Sequence, residues 1–247
     1  MRQFGLIGYP LGHSFSASFF AKKFKEEGID AMYRNFPLEG IADFKALVKK
    51  EKDLVGLNVT VPYKQELIPY LNSLSPTAEA IQAVNTISFR RSEGMLELVG
   101  DNTDVIGFRR SLEQYLKPHH CSALVLGTGG SSKAVLHVLD LLGITYTRVS
   151  RTAGDDQITY GDLNDELLSK TTLIINTTPL GMYPGVETFP HIPYEALSPN
   201  HLLFDLVYNP EKTAFLTRGE KQGSEIVNGH DMLIYQAEAS WKIWNAL

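Results

Sequence analysis

At 247 residues, with 43% hydrophobic and 21% charged side chains, the chain has a globular composition and room for one large domain or two ordinary ones, which excludes disorder. A net charge of −5, from 23 basic and 28 acidic residues with no basic run, excludes nucleic acid as the expected partner. The single cysteine, Cys121, precludes an intramolecular disulfide, and no stretch approaches the ~20 apolar residues that span a bilayer, so a cytoplasmic protein with no membrane partner is expected.

In chain order, Phe4 to Ile7 predicts a first strand; Met1 to Gly8 reads as that strand rather than as a signal peptide. It runs into a loop, Gly8 to Ser16, that carries Ser14 and Ser16. Phe19, Phe20 and Phe24 predict a helix ending at Gly28. A strand (31–36), a helix (41–50) and a strand (54–59) follow, a βαβαβ order that implies a parallel sheet. Such folds place their sites in the loops after strands, so the serine loop and the segment Asn58 to Lys64 are expected to face one crevice. The serines read equally as helix caps. Pro62 suits a first helical turn, which puts Lys64 in that turn, where the helix dipole disfavours a cation. The spacing leaves two readings open, a solvated surface lysine and an amine kept for its chemistry.

Ala83 to Phe89 predicts a strand that contains the polar pair Asn85 and Thr86, with Met95 to Val99 as its hairpin partner across Glu93-Gly94. Gly100-Asp101-Asn102-Thr103-Asp104 then precedes a helix that ends near Lys117-Pro118. One of these polar residues suffices as a cap; if Asn102 or Thr103 serves, Asp104 is a further carboxylate in the first turn.

The organising stretch follows. Ala123 to Leu126 reads as a buried strand, Gly127-Thr128-Gly129-Gly130-Ser131-Ser132 as a glycine turn, and Ala134, Val135, Val138 and Leu139 as one helix face. Strand, glycine turn and helix N-terminus form a phosphate cradle, although Ser132 occupies the last glycine position of the G-x-G-x-x-G pattern. The next strand, 146–149, ends in Ser150-Arg151-Thr152, where an NAD-binding chain usually places an acid. A guanidinium flanked by hydroxyls suits a 2′-phosphate, so NADP is favoured over NAD. A strand at 173–176 leads to the loop carrying Thr178, and a strand from Leu202 ends in Tyr208 before the stop at Pro210. Asn228 to Asp231 reads as a turn. The final helix places Leu233, Ala237, Trp241 and Trp244 on one face, read as core, with Gln236 near its start.

The motifs HSxS (13–16), NVTVPYK (58–64), AVNT (83–86), GDNTD (100–104), GTGGSS (127–132), SRT (150–152), INTTPLGM (175–182), DLVY (205–208) and NGHDMLIYQ (228–236), in this order, resemble the shikimate dehydrogenase family. The resemblance implies an α/β fold of two domains with a cleft between them. Residues 1–101, completed by the helix 230–247, would form the substrate-binding domain, and 102–229 a Rossmann-like NADP-binding domain. It implies NADP-dependent reversible reduction of 3-dehydroshikimate to shikimate, in a monomer or homodimer, with no metal. Lys64 would be the acid/base residue and Asp104 its catalytic partner. Ser14, Ser16 and Tyr208 would meet the substrate carboxylate, and Thr60, Asn85, Asp104 and Gln236 the rest of the substrate. Gly127, Thr128, Gly129, Gly130, Ser131, Ser150, Arg151, Thr152 and Thr178 would hold the cofactor, with Leu206 and Gly229 near its nicotinamide. Departures from the family pattern are Ala17, Lys133, Ser150 and Asp231. A folate methylene dehydrogenase and a nucleotide-sensing regulator are the competing readings of the same fold.

Overall fold

The computed structural model describes residues 1–11 and 15–246. The chain divides into two compact units, Met1–Thr103 with Ala237–Leu247, and Asp104–Gln236. The first boundary thus falls after Thr103 rather than Asp101, and residues 230–236 group with the second unit.

The first unit contains β1 (Arg2–Gly8), α1 (Phe15–Glu26), β2 (Ala31–Pro37), α2 (Phe44–Lys50), β3 (Leu54–Val59), α3 (Tyr63–Glu66), β4 (Ser73–Leu74), α4 (Pro76–Ile81), β5 (Thr86–Ser92) and β6 (Met95–Asp101). Its sheet has the order β2-β1-β3-β5-β6-β4. The expected βαβαβ start is parallel, whereas β5 runs antiparallel to β3 and to β6. Glu93 and Gly94 close the β5–β6 hairpin with φ of 50° and 81°, the left-handed pair that a tight two-residue turn demands. The helix expected over 41–50 opens as a 3₁₀ turn, Ile41–Asp43, before α2. The strand expected from Ala83 starts only at Thr86.

Side-chain alternation along β1 sends Phe4 and Ile7 to opposite faces. Ile7 joins Phe36, Leu57, Val59 and Ile87 in one core, and Phe4 joins Phe20, Phe24 and Trp244 in the other. Trp244 is fully buried and donates its indole Nε1–H to the Ile87 carbonyl at 3.0 Å, so the aromatic end of the chain is core. A Cβ on Gly56 would come within 2.2 Å of that indole nitrogen, so the strand must be bare there.

The second unit contains α5 (Asp104–Leu112), β7 (Ser122–Leu126), α6 (Gly130–Leu141), β8 (Thr145–Ser150), β9 (Gln157–Thr159), α7 (Asp165–Lys170), β10 (Leu173–Asn176), β11 (Leu202–Asp205), α8 (Ala214–Lys221) and β12 (Glu225–Val227). It ends in the first turns of α9 (His230–Asn245), which starts where the sequence suggested a turn. The sheet is entirely parallel, in the order β12-β11-β10-β7-β8-β9. The order of strand addition reverses between β7 and β10, which creates a doubly wound sheet with a switch point there. α5 stops at Leu112 rather than near Lys117, because the Leu112 carbonyl accepts the Tyr115 N–H in a tighter turn. Gly107 lets α5 lie against α9: a Cβ there would be 2.5 Å from the Met232 carbonyl. Among the described residues no helix is long and apolar enough to cross a membrane, and no cluster of His, Cys, Asp or Glu could hold a metal ion.

Candidate active site

In the first unit the loops after β1 and β3 lie side by side, as their positions in a parallel sheet require. Thr60 N–H donates to the Ile7 carbonyl at 2.9 Å, and Tyr9 N–H to the Val61 carbonyl at 3.1 Å. Gly8 permits this approach, since a Cβ would meet the Thr60 methyl at 2.4 Å. Lys64 follows on α3, which Tyr63 anchors by burying its ring and donating its hydroxyl to the Leu38 carbonyl. The half-buried Lys64 sits in a helix of four residues. So short a helix sums few peptide dipoles, and the expected penalty on a cation is correspondingly small. The Lys64 carbonyl accepts the Val84 N–H at 2.7 Å, which sets Lys64 beside the segment holding Asn85. Thr60, Lys64 and Asn85 are therefore brought to one end of one sheet. Ser16 is buried on the first turn of α1, and Ser14 lies outside the described residues.

Two aspartates flank Asn102-Thr103, and their surroundings differ. Asp101 accepts the Asn102 N–H at 2.6 Å and the Ser75 hydroxyl at 2.9 Å, while Ser75 in turn caps α4. That carboxylate is occupied in holding the backbone. Asp104 is buried as the first residue of α5, in the second unit. Gln236, also buried in the second unit, donates Nε2–H to the Leu233 carbonyl at 3.0 Å. Tyr208 is half-buried beyond β11, and burial pushes its phenol pKa up.

In the second unit the expected cofactor residues fall at the carboxyl ends of β7, β8, β10, β11 and β12. Gly127 has φ +106°, and its N–H donates to the Val149 carbonyl at 2.8 Å. A Cβ there would also meet Thr177 Oγ1 at 2.8 Å, across the switch point. Gly129 differs: its φ is −77° and an added Cβ would touch no protein atom. The face above Gly129 is therefore open to an incoming group. No side chain caps α6, whose first residues are Gly130 and Ser131. Ser132 turns its hydroxyl back to the Gly129 carbonyl at 2.6 Å and is buried, filling the place of the missing third glycine. Arg151 is exposed at the end of β8, between Thr152 and the half-buried Ser150. A helix N-terminus behind a glycine N-cap, the open face at Gly129 and a cation in place of an acid fit a phosphate-bearing dinucleotide.

A buried constellation that sequence reasoning missed supports this edge. Asp205 is fully buried and accepts from Asn176 Nδ2 at 2.9 Å, Val207 N at 3.0 Å and Thr213 Oγ1 at 2.6 Å. Burial pushes its pKa up to about 6, against the pull of these three donors. Asn176 Oδ1 in turn accepts the Thr178 N–H at 3.0 Å and its hydroxyl at 2.7 Å. Asp205 thereby fixes the turns that carry Thr178 and Leu206. Leu206 and Gly229 are brought together as expected: a Cβ on Gly229 would stand 2.2 Å from the Leu206 carbonyl. The only sequence signal for this group was the acid at a strand end before Leu206.

A doubly wound parallel sheet with a glycine turn at its switch point, joined to a mixed α/β unit with a lysine and polar side chains at one sheet end, defines a two-unit α/β protein with a Rossmann-type half. The model of the shikimate dehydrogenase substrate binding domain matches residues 6–87. A shikimate dehydrogenase (NADP(+)) of Caldicellulosiruptor saccharolyticus is 36% identical over 262 aligned positions, covering 99% of this chain and 92% of that protein. The chain belongs to the shikimate dehydrogenase family. The crystal structure of shikimate 5-dehydrogenase from Thermus thermophilus, in complex with NADP(H) and shikimate, superposes with a TM-score of 0.87 at 29% identity, covering all of this chain and 94% of that one. A quinate dehydrogenase from Corynebacterium glutamicum in complex with NAD gives the same TM-score at 25% identity, with the same coverage.

Proposed function

We propose that this protein catalyses the NADP-dependent, reversible reduction of 3-dehydroshikimate to shikimate. The observation that carries the reading is the convergence of Thr60, Lys64 and Asn85 at one sheet end, held by the Lys64–Val84 main-chain bond. When bound, NADP(H) supplies or accepts a hydride. Gly127 to Ser131 would hold its phosphates, Arg151 its 2′-phosphate, and Leu206 with Gly229 would border its nicotinamide.

Reduction of a ketone builds negative charge on oxygen. The Lys64 ammonium neutralises that charge and delivers a proton, and in the reverse direction its amine takes the proton back. Asp104 would serve as the second catalytic group, a carboxylate that accepts from a substrate hydroxyl. Asn85, Thr60 and Gln236 hold the remaining hydroxyls; Ser14, Ser16 and Tyr208 hold the carboxylate.

Quinate carries an additional hydroxyl beside its carboxylate. On this reading the serine hydroxyls are committed to the carboxylate, so that hydroxyl would be buried without a partner. An unmet buried hydroxyl costs about 1–3 kcal/mol, or roughly tenfold to a hundredfold in kcat/KM. Following nicotinamide absorbance with NADP should show turnover of shikimate and that much less for quinate. No turnover of shikimate would overturn the function, and equal kcat/KM would overturn the specificity.

A further inference from the structure

Behind the proposed substrate residues of the first unit lies a buried polar cluster that no proposed step uses. Asn58, Thr86, Thr103 and Ser240 are at most 4% exposed, and they belong to β3, β5, the turn before Asp104, and α9. Thr86, Thr103 and Ser240 form a triangle of hydroxyls with sides of 2.8, 3.0 and 3.2 Å. Asn58 Nδ2 reaches Ser240 Oγ at 2.9 Å, and the Asn85 carbonyl and Thr86 Oγ1 at 3.3 Å each.

Two fixed groups decide the direction of these bonds. The Asn85 carbonyl can only accept, so Asn58 must turn its NH₂ toward it and its Oδ1 away. That Oδ1 lies 2.8 Å from the Tyr33 hydroxyl, which must therefore donate to it. At the other end the Thr103 N–H can only donate, and it meets Asn85 Oδ1 at 2.7 Å. Thr103 Oγ1 at 3.1 Å and Thr86 Oγ1 at 3.0 Å point at the same oxygen. The Asn85 side chain is thus locked with its oxygen inward and its NH₂ turned the other way.

We propose that the Tyr33–Asn58–Thr86–Thr103–Ser240 cluster is a positioning circuit that fixes Asn85 as a donor toward substrate. The inference rests on the function proposed above. Tyr33, Asn58, Thr86, Thr103 and Ser240 act through Asn85 without touching the ligand. A buried circuit of this kind carries its information in hydroxyl groups, so shape-preserving changes test it. T103V keeps the volume and removes the hydroxyl, whereas T103S keeps the hydroxyl.

The experiment measures steady-state constants for both substrates in T103V, T103S and Y33F, with thermal unfolding of each variant. T103V should raise the shikimate KM about tenfold, the size of one unmet hydrogen bond, with the NADP KM within about twofold of wild type. T103S should restore the shikimate KM. Y33F, at the far end of the circuit, should raise the same constant and again spare NADP. An unchanged shikimate KM in T103V and Y33F overturns the proposal, as does equal impairment of T103S and T103V or a matching rise in both substrates' KM. Should T103V fail to fold, Y33F decides alone. Failure of wild type to turn over shikimate strikes the function itself and is seen before any variant is made.

Discussion

At the residue scale the proposed chemistry separates groups that the sequence sets close together. Lys64→Ala should lower kcat by about 10²–10⁴ with a smaller change in KM, because it removes a proton donor used in the transition state. Near wild-type turnover would exclude Lys64 as the acid/base group. Asp104→Asn should also cut kcat. Asp101→Asn should instead cost stability and leave kcat near wild type, since that carboxylate holds the Asn102 N–H and Ser75. Arg151→Ala should raise the NADP KM and leave that for NAD almost unchanged; equal losses would make Arg151 a support of the fold. The sequence made these chemical groups visible because reactive side chains announce themselves by type. It did not separate a structural aspartate from its neighbour, because that distinction lies in the long-range partner Ser75. Nor did it show that Lys64 escapes most of the dipole penalty, since the shortness of α3 is set by tertiary packing.

At the element scale, what held was periodicity and what moved was termini. The buried runs of β7 and β10 and the glycine turn between β7 and α6 stand where their patterns put them. α5 ended early and β5 began late, because a tighter turn at Leu112 and the Lys64–Val84 bond compete with the regular ladders. Asp205 had no readable signal beyond its position at the end of β11, and its behaviour follows from burial. Its folded pKa of about 6 lies above its ordinary 3.8. The folded state therefore holds a proton that the unfolded chain has lost, and this group's contribution falls as pH rises from about 4 to 6, by roughly 3 kcal/mol. Asp205→Asn cannot titrate. In urea unfolding its stability deficit relative to wild type should be largest near pH 4 and shrink by about that amount by pH 6.5. A deficit independent of pH would mean that Asp205 stays ionised throughout.

At the scale of the whole molecule, two sheets of different logic share one chain. The mixed sheet of the first unit is closed by Trp244 from the far end of the sequence, and the parallel sheet of the second is ordered about its switch point. The heptad-like apolar spacing of α9 gave away the core role of Trp244, but nothing in the sequence revealed that one helix would divide between two units. Gly129 shows what such an architecture retains at its own expense. Its backbone angles suit any residue and its surroundings would admit a methyl group. Serine there restricts the unfolded chain and is a favoured N-cap residue, and it should raise the stability of the ligand-free protein by about 0.4–1 kcal/mol, while weakening NADP binding. Calorimetry of Gly129→Ser with and without NADP checks both halves, and a lowered melting temperature or undiminished cofactor stabilisation would refute the reading. Selection for a sturdier fold alone would have replaced this glycine. Its presence marks a place where natural selection traded thermal robustness for ligand binding, and where directed evolution under heat alone would be expected to erase the activity first.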